Sequence, residues 1–387
     1  MKDLCSASPV LEFSASQLSL ENNMRYRIWT RLLAAGFLIV GVAQAQEPGK
    51  ADPLFSRHDV LQVTITAPFK TLMRERPTEE DLPGRLSYVD EAGTAVELNV
   101  GLRTRGKYRH QMRICTFAPI RLNFKKSETK NTVFRKQDKL KLVGHCRNSS
   151  NRYEQIVLKE YLAYRFLNEM TELSFRVRLL RITYVDSDRN DYEQIRYGFL
   201  IEHKDRLTKR TGLPNVEVQR TSVAALHGDY TNLMSMFQYF IANTDFSPIA
   251  GARDDVCCHN SKLFGNEGQL YYSIPYDFDM AGMTDAPYAT PNVAFKIRNV
   301  RQRLYRGRCA NNQHLPASVK IFQDNKETFY ALVDNMPGLS GSSGTSMYAL
   351  MNKFYKLIDD PNAVEKKLAR KCIQNAVEIR PSLSSPQ

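Results

Sequence analysis

The sequence predicts an α+β fold in which a strand-rich part, residues 46–205, precedes a mostly helical part, residues 206–380. Between residues 59 and 124, apolar and polar side chains alternate in short runs separated by turn-forming residues, which is typical of strands that bury one face. Beyond residue 202, apolar side chains recur three, four and seven positions apart, which indicates amphipathic helices. Residues 381–387 are expected to form a disordered tail.

The strand-rich part is expected to contain one long helix. Asn151 and Glu154 have the spacing of an N-terminal capping pair, and the aromatic and aliphatic side chains that follow them share one helix face. Two strands are expected after this helix, at residues 178–185 and 197–201, joined by a polar segment. Before it, the alternation predicts four strands, at residues 60–66, 86–89, 96–103 and 120–124.

The second part has its clearest helical periodicity between Leu233 and Ile241. Helical spacing returns in residues 318–335 and 347–359, and Pro361 is expected to begin a last helix that runs to about residue 376. The glycine- and serine-rich residues 337–346 are expected to form a flexible loop.

The N-terminal region carries the signature of an export signal. Residues 24–45 combine three arginines, an apolar run and the small residues Ala43 and Ala45, after which we expect cleavage. The apolar run is shorter than the roughly 20 residues that a membrane-spanning helix needs. Residues 1–23 contain acidic side chains foreign to such a signal, and a start at Met24 would explain them. The protein is therefore expected to be exported, to a periplasm or outside the cell.

The charge of the chain limits its partners. Its formal net charge is +13, which favours anionic partners such as nucleotides, acidic or phosphorylated proteins, or anionic envelope polymers. No RNA-recognition or helix-turn-helix pattern occurs, so nucleic acid is not expected. After residue 45 no apolar stretch is long enough for a transmembrane segment.

Six cysteines follow residue 45, and an even number in an oxidising compartment suggests disulfides. Six cysteines allow 15 pairings. Of these, we favour Cys115 with Cys146. Structural zinc is the weaker hypothesis, because no Cys-x-x-Cys spacing occurs and Cys257 and Cys258 are adjacent.

The most informative stretch runs from Asn243 to Asp279. Residues 261–264, a glycine-containing turn and residues 270–275 read as a β-hairpin. Because a hairpin returns its outer ends to one place, Asn260 before it and Asp277 after it are expected to lie close together. Amide and carboxylate oxygens of this kind hold Mg²⁺ or Mn²⁺ together with substrate phosphates.

The same stretch suggests chemistry. Asp245, delivered by the end of a helix, can position or deprotonate an attacking hydroxyl, while Asn260, Asp277 and Asp279 supply metal ligands. This order of groups is the one found in kinase catalytic centres, although those place four residues between the first two groups and this chain places fourteen. Each group also has a purely structural interpretation as a turn or capping residue.

Several segments occur in the order seen in the CotH-type (spore coat protein H-like) family of atypical secreted kinases, which this sequence resembles over roughly residues 95–285. They are Gly101-Leu-Arg-Thr-Arg-Gly106, Ala118-Pro-Ile-Arg-Leu-Asn-Phe124, Tyr197-Gly-Phe-Leu-Ile-Glu202, Asn243-Thr-Asp245 and Tyr276-Asp-Phe-Asp279. The resemblance implies a two-lobed protein-kinase-like fold and the cofactors ATP and Mg²⁺ or Mn²⁺. It further implies that Asp245 is the catalytic aspartate, that Asp277 and Asp279 bind metal, and that Glu202 is the acid at the lobe junction.

The sequence leaves open which basic side chain would bind the phosphates. Where the family's strand is rich in lysine, this chain has Arg121 and Asn123, so Arg121 and Lys141 are both candidates, and either can pair with Glu160 on the long helix. The alternative is that these three residues make only surface ion pairs. Arg105 is a further candidate phosphate donor.

We therefore expect an exported atypical kinase that transfers the γ-phosphoryl group of ATP to a hydroxyl of an extracytoplasmic protein. A non-catalytic, pseudokinase-like envelope or matrix protein that binds anionic partners is the main alternative, and a metal-dependent phosphoester hydrolase is the third. A basic run from Lys296 to Arg308 is interpreted as a solvated face or as a surface for an acidic partner.

Overall fold

The computed structural model describes residues 49–252 and 255–374. The predicted signal peptide and the predicted C-terminal tail therefore lie outside the described residues. Within them, the chain forms ten strands and eight α-helices.

Seven strands close into a mixed β-barrel. The first strand, β1, pairs antiparallel with β2 and parallel with β6, and this second pairing joins the two ends of the sheet in the order β1-β2-β3-β4-β5-β7-β6. The barrel strands are β1 (Leu61–Ala67), β2 (Leu82–Val89), β3 (Ala95–Thr104), β4 (Ile120–Phe124), β5 (Lys139–Val143), β6 (Val177–Asp186) and β7 (Tyr192–Ile201).

The predicted fold class, an α+β chain in a two-lobed protein-kinase-like arrangement, is wrong. The closed seven-stranded barrel, the separate small sheet and the eight helices do not match that fold. The physical cause lies in β6 and β7, which pair over ten residues each and bring β6 back to β1. Local alternation could not reveal the pairing of β1 with β6, because these strands are more than a hundred residues apart in the sequence.

The barrel is filled by the inward side chains of its alternating strands. Every second residue of β3 and β4 is buried, and the same holds for β1. Such closure leaves no free sheet edge in the barrel. The interior is mostly aliphatic, with a few aromatic side chains. Its aliphatic members include Ile65, Leu86, Leu102, Leu122, Leu140, Ile182 and Leu200.

The long helix α2 (Arg152–Met170) lies between the barrel and the helical part of the chain. It is buried from Ile156 to Asn168 on all sides rather than on one face, because it packs on β6 and β7 and also on α6 (Lys326–Asp334). Its polar residues Glu160 and Tyr164 are therefore held deep inside the molecule, with relative exposures of 1% and 0%.

The other helices differ from expectation in three places. The predicted helix at residues 318–335 is broken at Asn325 into two helices, and the predicted loop at residues 337–346 is wrong in its second half, where Ser340 caps a helix that begins at Gly341. The last helix ends at Lys367, earlier than expected. The remaining helices are α1 (Phe69–Glu75), α3 (Lys204–Thr211), α4 (Gly228–Phe240), α5 (Leu315–Asp324), α7 (Gly341–Ile358) and α8 (Pro361–Lys367).

The small sheet contains the predicted hairpin. Strands β9 (Ser261–Phe264) and β10 (Tyr272–Pro275) pair antiparallel, and the two-residue strand β8 (Asn215–Val216) adds to the edge of β9. This hairpin packs against α4 and projects its open end toward the barrel and α2.

Three disulfides join the six cysteines of the described chain. Cys115 bonds to Cys146, which confirms the pairing favoured from the sequence, while Cys257 bonds to Cys258 and Cys309 to Cys372.

In the described ranges, no helix is both long enough and apolar enough to cross a membrane.

His145 makes the barrel sensitive to acid. It is 1% exposed and stacks on Phe117 with ring centroids 4.4 Å apart, and burial lowers its pKa to about 4. The unfolded chain takes up this proton near pH 6.5, so the stabilising effect of the neutral ring is complete above that pH and is lost as the pH falls toward 4. We predict a loss on the order of 3 kcal/mol in the free energy of unfolding across this window.

Urea denaturation at pH 7.0 and pH 4.5 measures this loss. His145→Phe should flatten the pH dependence, whereas His314→Gln, a substitution outside the barrel, should leave it as in the wild type. An unchanged pH dependence in His145→Phe would contradict the assignment to His145.

Candidate functional site

The base of the hairpin brings the two predicted ligand positions together. The Tyr276 N–H donates to the Asn260 carbonyl at 3.0 Å, and Pro275 pairs with Ser261 at the last register position. Both Asn260 and Asp277 have left-handed backbone angles, with φ of 51° and 64°. Asn and Asp tolerate this conformation better than most residues, so the residue types fit the turns at both ends of the hairpin.

Asp245 is held by its own loop and by the hairpin. Its backbone N–H donates to the Asn243 side-chain oxygen at 2.9 Å, and its carboxylate accepts from the Asn260 amide at 3.0 Å and from His259 Nε2 at 2.7 Å. The Asn260 amide also donates to the Asp245 carbonyl at 2.8 Å. The structure therefore places Asn260 directly on Asp245, and the side-chain carboxylate is about one third exposed, at 34%.

The segment that follows the hairpin is anchored by its aromatic residue. Phe278 is fully buried and packs on Tyr164 of α2, with ring centroids 4.6 Å apart. The Tyr164 hydroxyl accepts a hydrogen bond from the Asp277 N–H at 2.8 Å. Because Asp277 is left-handed, the segment does not alternate like a strand, and Asp277 and Asp279 both belong to one group of charges with Glu160.

The carboxylates of this group repel one another. Burial raises the pKa of Asp279 to about 7, and the negative charges of Asp277 and Asp245 add to the effect. Burial also raises the pKa of Glu160 well above its ordinary value, again with contributions from Asp279 and Asp277. One carboxylate oxygen of Glu160, Oε2, is buried without a hydrogen-bond partner. Burial and the neighbouring carboxylates thus disfavour the ionised forms of Glu160 and Asp279.

Two arginines provide the positive charge nearest to this carboxylate cluster. Arg109 lies 3.7 Å from Asp279, and the charges that stabilise ionised Glu160 are those of Arg109 and Arg105. Arg105 is half-buried beside Asp277, and its buried Nε has no hydrogen-bond partner. Among the described residues, neither Arg121 nor Lys141 forms an ion pair with Glu160, and the charges that favour its ionised form are those of the two arginines that follow β3.

Arg121 and Lys141 instead line a cavity of about 230 Å³ between the barrel and the hairpin. They face one another across β4 and β5, and Lys141 Nζ lies 4.4 Å from the centroid of the Tyr276 ring. Burial lowers the pKa of Lys141 to about 7, and the positive charge of Arg105 adds to the effect. Arg105 is therefore the cation that connects the cavity with the carboxylate cluster.

Glu202 also lines this cavity, but its carboxylate is already paired. It is 4% exposed and accepts from Arg210 Nη2 at 2.9 Å and from the Arg176 N–H at 3.2 Å. These contacts tie the end of β7 to α3, so the carboxylate acts as a structural link at this position.

The oxygen donors fit a hard divalent cation only if a ligand supplies further oxygens. Within residues 49–252 and 255–374, no three His, Cys, Asp or Glu side chains gather in a way that could hold a metal ion. Mg²⁺ commonly binds through one or two carboxylates plus substrate phosphates, and the carboxylates of Asp277, Asp279 and Glu160 supply oxygens of that kind beside Arg105 and Arg109. The site suits a metal that arrives with phosphate, and not an all-protein metal cage.

Sequence reasoning missed several residues of the site. His259 is not among the site residues predicted from the sequence. Burial alone would lower its pKa, but the hydrogen bond to Asp245 and the negative charges of Asp245 and Asp277 together raise the pKa above its ordinary value. Its position next to Asn260, at the end of the predicted hairpin, could have indicated that His259 belongs to the site. Arg109 and Lys262 were not named, since their proximity to the site depends on the fold. The basic run was interpreted as a solvated face, but Arg303 and Arg306 are turned inward onto backbone carbonyls.

The fold and site define a barrel-containing chain with adjoining basic and acidic clusters at one end of a hairpin. A scan against protein-family models found no family that matches this chain, and a search of curated proteins found no relative.

Arg306 holds the loop that carries Asp245. Its guanidinium donates to the Thr244 carbonyl at 2.9 Å and to the Phe246 carbonyl at 2.6 Å, on either side of Asp245. Both bonds come from one nitrogen, Nη1, and the guanidinium also lies over the rings of Phe246 and Phe295, with Cζ 4.5 and 4.6 Å from their centroids. Arg306→Lys loses this planar stacking, and we predict a loss of about 2 kcal/mol in the free energy of unfolding. Arg298→Lys, at an exposed position in the same basic run, should change it by less than about 0.5 kcal/mol.

Denaturant titration of both variants tests this assignment. Equal stability of Arg306→Lys and Arg298→Lys would show that Arg306 does not hold the loop.

Proposed function

We propose that this protein is an exported phosphotransferase that moves the γ-phosphoryl group of a nucleoside triphosphate to a hydroxyl of an extracytoplasmic protein. The observation that carries the proposal is the junction of two opposite clusters. A basic cavity at Arg121 and Lys141 adjoins the carboxylate cluster at Asp277, with Arg105 between them. Phosphoryl transfer needs this combination of phosphate-binding cations and metal-binding oxygens. The likeness to CotH-type kinases remains part of the proposal.

In this scheme Asn260, Asp277 and Asp279 hold Mg²⁺ or Mn²⁺, which neutralises charge on the phosphates when it is bound. Asp245 orients the acceptor hydroxyl and receives its proton, while His259 and Asn260 fix the direction of the Asp245 carboxylate. The hydroxyl oxygen forms a bond to the γ-phosphorus as the bond to the bridging oxygen breaks, and the nucleoside diphosphate leaves. Arg121, Lys141 and Arg105 balance the phosphate charge.

Export is supported by two independent features. The described chain holds three disulfides, which persist in oxidising compartments and are rare in a reducing cytosol. The N-terminal residues carry the signal-like pattern described above. The proposed location is a periplasm or the cell exterior, where the basic chain also meets anionic envelope polymers.

A non-catalytic anion-binding protein is the second candidate, and one observation favours it. Asp279 is already paired with Arg109, and Glu160 faces Arg109 and Arg105, so protein cations occupy part of the space beside the carboxylates. If these arginines permanently replace the metal, the basic cavity binds anions without transfer.

Binding and transfer measurements on the purified protein separate the two candidates. We predict that ATP binds only with Mg²⁺ or Mn²⁺, that Asp277→Asn weakens this binding at least tenfold, and that Asp245→Asn binds ATP but no longer labels itself or dephosphorylated casein. Asp324→Asn, an exposed carboxylate paired with Lys320 on α5, is the matched control and should behave as the wild type.

Metal-independent ATP binding that Asp277→Asn leaves unchanged would establish the non-catalytic candidate. Release of free phosphate without a labelled protein would establish a hydrolase instead.

A further inference from the structure

The cavity between the barrel and the hairpin contains an unusual excess of positive charge. Five cationic side chains line it: Arg121 of β4, Lys139 and Lys141 of β5, Lys204 at the start of α3 and Lys262 of β9. Lys204 pairs with Glu217 at 2.5 Å. Among the described residues, the side chains of the other four form no hydrogen bond and no ion pair, although Lys141 and Lys262 lie over the ring of Tyr276.

The strand register forces these charges together. Arg121 and Lys141 are directly opposite on neighbouring antiparallel strands, and Lys139 lies two residues from Lys141 on the same face. Like charges that face one another across a sheet are destabilising. Repulsion also acts on Lys262: burial lowers its pKa, and the positive charge of Lys204 lowers it further. A bound anion that touches several of these groups would remove the repulsion.

The cavity has room for phosphates but little for a nucleobase. Its volume of about 230 Å³ lies below the range of roughly 300 to 1,000 Å³ that is usual for drug-sized ligands. Its apolar lining comes from Phe175, Ile201 and Tyr276, and Lys141 already lies over the ring face of Tyr276, 4.4 Å from the centroid.

The polar groups that line the cavity at the end of β7 are also engaged. The Glu202 carboxylate accepts hydrogen bonds from Arg210 and from the Arg176 N–H. The His203 carbonyl accepts hydrogen bonds from the Arg206 and Leu207 N–H groups at 2.9 and 3.1 Å. A base therefore finds little space and no free partner among these groups, whereas a phosphate chain finds cationic side chains from β4, β5 and β9.

We infer that this cavity binds the condensed phosphate chain of the phosphoryl donor and does not read its base. The inference rests on the proposed function, because it specifies the donor class of the same site. Nucleoside triphosphates and inorganic tripolyphosphate are then equivalent ligands. With tripolyphosphate as donor, the acceptor oxygen bonds to a terminal phosphorus, the bridging P–O bond breaks, the hydroxyl proton passes to Asp245, and pyrophosphate leaves.

Calorimetric titration of the full chain with Mg²⁺ tests the inference. The dissociation constants of tripolyphosphate, ATP and GTP should agree within threefold, while AMP and adenosine should bind at least thirtyfold more weakly. Lys141→Met and Lys262→Met should each weaken all three triphosphates at least tenfold and to a similar extent. Lys320→Met removes an exposed lysine of α5 and should have no effect.

Folding of the variants is checked by thermal unfolding without ligand. Lys141→Met should be at least as stable as the wild type, because it removes a half-buried charge that lies opposite Arg121, so loss of binding cannot be attributed to unfolding.

Two results would overturn the inference. One is an affinity for ATP more than tenfold higher than for GTP or tripolyphosphate, and the other is unchanged binding in both lysine variants. If ATP alone binds and labels protein, the proposed phosphotransfer stands and the inference falls. If all three bind alike but no label is transferred, the inference stands and the proposed phosphotransfer falls. Absence of binding by every triphosphate would remove both.

Discussion

The candidate site depends above all on the hydrogen bond that closes the hairpin, from the Tyr276 N–H to the Asn260 carbonyl at 3.0 Å. It fixes the ends of β9 and β10 side by side, and the left-handed residues Asn260 and Asp277 then turn the chain in two directions. One turn brings Asn260 and His259 onto Asp245. The other turns the segment after β10 toward α2, where Tyr164 and Phe278 anchor it.

The charges around this hairpin are arranged for a ligand and not for stability. Buried ionic groups destabilise a fold unless they are paired, yet Glu160 keeps a carboxylate oxygen without a partner and Lys141 has its pKa lowered to about 7. Arg105 interacts with groups of both signs, since its charge lowers the pKa of Lys141 and the charge of Asp277 acts on Arg105 in turn. A ligand that carries both a phosphate chain and a metal ion would satisfy both sides at once. Functional sites commonly retain local instability of this kind.

How far the sequence predicts this molecule depends on the range of the interactions. The alternation in residues 120–124 and the turn-bounded run of residues 261–264 coincide with β4 and β9, because short strands with one buried face leave a local pattern. The proximity of Asn260 to Asp277 follows from hairpin geometry alone. The long helix was also recognisable, although its burial on every side was not, since that depends on which elements pack around it.

The remaining features of the fold and the site could not be predicted from local sequence patterns. Barrel closure depends on β1 lying parallel to β6, a pairing between distant segments that leaves no mark in either one. The short strand β5 (Lys139–Val143) carries two lysines on one face, and only the pairing with β4 shows that both line a cavity, with Lys139 also exposed to solvent. The arginines beside Glu160 could not be recognised from the sequence for the same reason. Arg105 and Arg109 follow the end of β3, and only the fold places them beside Glu160 on α2.

The most direct measurement is a crystal structure of the protein with Mn²⁺ and a non-hydrolysable ATP analogue, with the metal located by its anomalous scattering. Our account predicts manganese in direct contact with side-chain oxygens of Asn260 and Asp277, and phosphates in contact with Arg121 and Lys141. Manganese bound elsewhere, or a nucleotide outside the cavity between the barrel and the hairpin, would contradict it.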